Sequence, residues 1–83
     1  MTIKTLLLPD FKTSIALAHI ARIATYPNGV GIFNMREKMI GWIACTDENI
    51  AADIVYELSE LMNNPGRAKH PDWQLLMKQD KGN

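Results

Sequence analysis

Eighty-three residues with nine Lys/Arg and nine Asp/Glu make a formally neutral chain, long enough for one domain around one modest core. At 47% hydrophobic and 22% charged residues the composition is globular rather than disordered. The single cysteine, Cys45, excludes an internal disulfide framework and fits a reducing compartment. The opening MTIKTLLLPD is too poor in apolar residues for a signal peptide, and the longest apolar stretch, Ile15 to Ala24, is broken by His19 and Arg22. The expected protein is cytoplasmic, with no membrane span.

In chain order, TIKTLLL is rich in β-branched and apolar residues and stops at Pro9-Asp10, which predicts a first strand over Ile3 to Leu8. The segment KTSIALAHIARIATYPNG follows. Its apolar residues fit a helical stripe (Ala16, Leu17, Ile20, Ile23, Ala24), with Thr13 or Ser14 as cap and Pro27-Asn28-Gly29 as stop. Strict alternation through Ile15, Leu17, His19, Ala21 and Ile23 would equally suit a strand. Four alanines favour the helix. GVGIFNMREKMIGWIAC reads as a β-hairpin, two apolar runs around the polar Arg36-Glu37-Lys38.

Thr46 is then a candidate N-cap, with Asp47 and Glu48 in the first turn, where the helix dipole favours acids. Ile50, Ala51, Ile54, Leu58, Leu61 and Met62 make one stripe, Asp53, Glu57 and Glu60 the opposite one, and Asn63-Asn64-Pro65-Gly66 ends the helix. Pro71, Asp72, Trp73, Leu76 and Met77 predict a short C-terminal helix, with residues 80–83 as a frayed tail. The expected architecture is α+β in the order β-α-β-β-α: a three-stranded, mainly antiparallel sheet with two helices on one face, then the short helix. Residues 1–79 form the single domain.

The stretch GWIACTDENIAADIVYELSELMNNPG, followed by HPDW, resembles short proteins of P2-type enterobacterial phages and prophages. The likeness covers about the C-terminal half. It implies a phage accessory protein and carries no functional residues with it.

Charge is unevenly spread. Residues 1–38 hold five Lys/Arg against two acids, residues 39–66 hold five acids and no base, and residues 67–83 hold four bases against two acids. Cys45 precedes a helix start, which lowers a thiol's pKa, but a nucleophile also needs a base, and His19 and His70 lie in no recognisable arrangement with it. A packed strand-end cysteine is the simpler reading. A metal would need ligands from four separate elements, and GVG is far short of a phosphate loop. No catalytic residue, metal or cofactor is therefore expected.

The bases are scattered over several elements rather than clustered, which disfavours nucleic acid as partner and leaves it as the alternative. Asp53, Glu57 and Glu60, with Trp73, are the candidate contact residues for a protein partner with a basic surface. Strands apolar on both sides, Val30 to Phe33 and Met39 to Ile43, expose surface that a homodimer would cover. The expected function is a non-enzymatic interaction protein that regulates a larger macromolecule by binding it.

Overall fold

The protein is described by a computed structural model over residues 4–64, 66 and 69–77. Five strands and two helices follow in the order β1 (Thr5–Leu7), β2 (Ser14–Ala16), β3 (Arg22–Tyr26), β4 (Gly29–Phe33), β5 (Met39–Ala44), α1 (Glu48–Asn63) and α2 (Trp73–Met77). The class is α+β, with two antiparallel sheets: the pair β1-β2 and the three-stranded β3-β4-β5. The expected first strand is real but shorter, and Ile3 lies outside the described residues, as do Pro65, Arg67 and the tail from Lys78 onward.

The segment expected as a helix is not one. Residues 14–26 instead form β2, a 3-10 turn over Leu17–His19 and β3. Backbone pairing outweighs the alanines: Leu6 lies opposite Ile15, and Ile23 opposite Ile32. The 3-10 turn also shifts the alternation, so that Ile15 and Ile20 are both buried although they differ in parity. One long helix, not two, therefore covers the sheet. Tyr26 pairs with Gly29, so Pro27-Asn28 is the two-residue turn of a hairpin rather than a helix stop.

The hairpin of β4 and β5 forms as expected, closed by a turn over residues 34–38. The Asn34 side chain accepts from Arg36 N–H at 2.9 Å and Lys38 N–H at 3.0 Å, and Glu37 adopts a left-handed backbone with φ 63°. Between Ile32 and Phe33 the register slips, because Ile32 faces Gly41 while Phe33 faces Met39, leaving Ile40 as a bulge.

α1 starts one residue later than Thr46 would place it. Asp47 is the cap, its carboxylate accepting from Asn49 N–H at 2.8 Å and Ile50 N–H at 3.2 Å. The expected stripe is the buried one: Ile50, Ala51, Ile54, Leu58 and Leu61. It meets Val30, Ile32, Ile43 and Cys45 from one face of the three-stranded sheet, while Leu6, Leu8 and Ile15 of the β1-β2 hairpin fill the rest of that face. Gly41 allows the hairpin to come this close, since a Cβ there would lie 2.7 Å from the Ile15 side chain.

The C-terminal segment closes the fold by fastening to Leu7. Leu7 N–H donates to His70 Nε2 at 2.9 Å, and the buried Trp73 donates its indole N–H to the Leu7 carbonyl. Both polar groups of one edge residue are thus satisfied by side chains from 63 and 66 positions away.

Candidate docking surface

Alternation places Arg22, Ala24 and Tyr26 of β3, Gly29, Gly31 and Phe33 of β4, and Met39, Trp42 and Ala44 of β5 on the sheet face opposite the core. The shared core and the buried stripe of α1 lie on the other side of the sheet, and at the margins of this face Pro9 and Asp10 border Trp42 and Ala44 while Thr46, Asp47 and Glu48 border Tyr26. Tyr26, Met39 and Trp42 remain 41%, 44% and 38% exposed.

The aromatic rings approach β4 closely because it offers them glycines. A Cβ on Gly29 would sit 2.3 Å from the Trp42 ring, and one on Gly31 would sit 3.0–3.1 Å from Phe33, Met39 and Tyr26. Tyr26 and Trp42 are 5.9 Å apart between centroids, and Tyr26 and Phe33 6.4 Å, both tilted. Phe33 is buried beneath Arg22, whose guanidinium carbon stands 4.2 Å from the ring centroid. Glu37 fixes that guanidinium through Nε at 3.3 Å, the single ion pair among the described residues.

The carboxylates singled out from the sequence lie elsewhere. Asp53, Glu57 and Glu60 are exposed on the outer side of α1, on the far side of the molecule from the aromatic face. Trp73 does not join them, since its ring is in the core and its N–H is committed to Leu7. Tyr26 and Arg22 were hidden from sequence reasoning by the helix reading of their segment. The hairpin signal Pro27-Asn28-Gly29 beside the alternating Arg22, Ala24 and Tyr26 would have found them.

Cys45 is buried at the end of β5 with its thiol 3.4 Å from the Asp47 carbonyl. The neighbouring cleft of about 510 Å³ is lined by Thr25, Tyr26, Pro27, Thr46, Asp47 and Glu48 among others, and its lining includes no histidine. His70 is bound to Leu7, and His19 borders a different cleft with Ser14, Asn34 and Arg36. Neither histidine therefore stands in the cleft beside Cys45. Among the described residues no group of three His, Cys, Asp or Glu side chains is placed to hold a metal ion, and no helix is long and apolar enough to cross a membrane.

No protein-family model matches this chain, and no curated protein or solved structure does either. What fold and surface define together is a small α+β domain that presents one aromatic sheet face and, behind it, one acidic helix face.

Proposed function

We propose that this is a non-enzymatic, cytoplasmic interaction protein that binds a macromolecular partner through the open face of β3-β4-β5. The observation that carries this reading is the Tyr26, Met39 and Trp42 cluster, about 40% exposed on the sheet face opposite the core. Charged residues would solvate such a face at no cost to the core. Aromatic residues there serve contact.

The acidic side of α1 supplies long-range charge. It steers a basic surface towards the helix side and a polyanion away from it, so the two faces sort partners by charge. A phage accessory role fits a protein of this size that acts by binding.

Self-association is a weaker use of the same face. Three side chains of roughly 200–250 Å² each, about 40% exposed, offer roughly 250–300 Å² of surface. A stable homodimer buries about 800 Å² per partner, most of it apolar at the centre. The patch therefore supports a concentration-dependent, weak dimer rather than an obligate one.

The deciding experiment is affinity capture from cell lysate with wild type and with Trp42→Ser, with and without nuclease. A partner retained by wild type and lost with the folded variant supports the open face. Equal retention by both moves the contact to another surface.

A further inference from the structure

We propose that His70 is a proton-operated latch: protonation of its imidazole releases the C-terminal segment, residues 69–77, from β1. The latch lies apart from the docking face and stands whether or not that face binds a partner.

The Leu7 N–H donates to His70 Nε2 at 2.9 Å, so that nitrogen must offer a lone pair. In a neutral imidazole the proton then sits on Nδ1, where the Pro71 carbonyl accepts it at 3.0 Å. Together the two contacts demand one protonation state and one tautomer. A proton from solvent takes the Nε2 lone pair that the Leu7 N–H uses, leaving two donors face to face across 2.9 Å. His70 is exposed, so the proton reaches the ring without any prior opening.

More than one bond is at stake, because the same segment holds both polar groups of Leu7. The Leu7 carbonyl accepts the indole N–H of Trp73, and only Pro71 and Asp72 separate Trp73 from His70. A ring that backs away from Leu7 therefore pulls on Pro71 and Trp73, both buried. α2 has five residues, too few to hold its place by helical bonds of its own.

No charged group takes over the ring's place. β1 carries no titratable side chain; Lys4 and Asp10 flank it, and Asp10 is committed to Lys12 and Thr13. Beside His70 stand Lys69 and Asp72, and the Asp72 carboxylate accepts from Leu75 N–H at 3.2 Å. α1, which packs on α2, turns Asp53, Glu57 and Glu60 outward. Among the described residues none of these is ion-paired with the ring. The chain has two histidines, and His19 lies at the 3-10 turn beside Ser14 and Arg36, so it serves as the control.

Imidazoles change charge between about pH 5 and 8. The folded chain binds only the neutral ring, so the stability that the latch adds is complete above that range and is lost as pH falls through it. The melting temperature of the wild type should drop by about 4–8 °C between about pH 7.5 and 5.5, before Asp10 is protonated. His70→Gln, whose side-chain carbonyl accepts a hydrogen bond and does not titrate, should flatten that drop, and His19→Gln should keep it. In Trp42→Phe the remaining tryptophan is Trp73, and its emission should shift to the red over the same interval. Ring nitrogen NMR of the wild type at the upper pH should find the His70 proton on Nδ1, a test that holds even where a variant fails to fold.

Equal pH dependence in wild type and His70→Gln, or a dependence abolished by His19→Gln, overturns the proposal. So does a His70 proton on Nε2 at the upper pH. If melting falls with pH while Trp73 emission stays fixed, the bond breaks without freeing the segment, and the latch is refuted.

Discussion

At the scale of single residues, the turn joining β1 to β2 is held by one carboxylate, that of Asp10. Asp10 accepts from Lys12 N–H at 2.8 Å, Thr13 N–H at 2.9 Å and the Thr13 hydroxyl at 2.8 Å. The backbone bonds come first among the causes that hold its carboxyl below its ordinary value of 3.8. A carboxyl depressed by folding contributes stability that is complete above the unfolded value and is lost as pH falls through the folded one. Acid titration of thermal stability should therefore show a decline below about pH 4 that Asp10→Asn makes shallower, and equal slopes would deny Asp10 this role. In the same turn Phe11 is exposed with φ 57°, a left-handed backbone that suits Asn or Gly better than a bulky side chain. Phe11→Asn should raise the melting temperature by a few degrees, corresponding to about 0.5–1 kcal/mol. Cys45, packed in the core, is expected to cost about 1–2 kcal/mol as Cys45→Ala and to leave partner binding unchanged. Rapid labelling of the native thiol with loss of binding would contradict that.

Among the elements, β4 holds the fold's two faces apart. Val30 and Ile32 enter the core, and Gly29 and Gly31 make the floor for the rings on the opposite side. A methyl group at these two positions meets different neighbours. At Gly29 it would stand 2.6 Å from the Ile43 carbonyl oxygen and 2.3 Å from the Trp42 ring, whereas at Gly31 it would meet only side-chain ends at 3.0–3.1 Å. Backbone cannot yield as side chains do, so Gly29→Ala should destabilise more than Gly31→Ala and shift Trp42 emission to the red as its ring lifts into water. Equal melting temperatures for the two variants would mean that the strands move apart more easily than this packing implies. The C-terminal latch makes a similar demand on β1. Trp73→Phe keeps most of the buried volume but leaves the Leu7 carbonyl without its indole donor, a loss of about 1–2 kcal/mol read from denaturant midpoints.

Across the whole molecule the outer side of α1 and the aromatic sheet face lie on opposite sides of the core. α1 places Asp53, Glu57 and Glu60 outward while its apolar stripe holds the opposite side of the sheet from Tyr26 and Trp42. Replacing the three acids with Gln should change stability by no more than about 0.5 kcal/mol, because none of them touches the core. Its effect on association depends on the partner: a basic protein should bind the variant more slowly, and an oligonucleotide should bind it slightly faster, each difference fading as salt rises. Association rates at two salt concentrations give the sign, and no change in either direction would reduce the acidic face to a solubility device.

Local chemistry determined α1, its buried stripe, its outward acids and the β4-β5 hairpin, because each rests on periodicity and turn residues that a short window contains in full. The packed place of Cys45 after β5 was legible for the same reason. The segment from Ser14 to Tyr26 was not legible. Its alternation and its helical spacing are both genuine, and only the pairing of β2 with β1 and of β3 with β4 decides between them. That decision fixed the aromatic face: Tyr26 and Arg22 come beside Phe33 and Trp42 through strand register, which joins residues distant in the chain. It also withdrew Trp73 from the surface, since the acceptor of its N–H lies 66 residues away. Contacts within a few residues are encoded where they stand; contacts between distant strands exist only once the chain has folded.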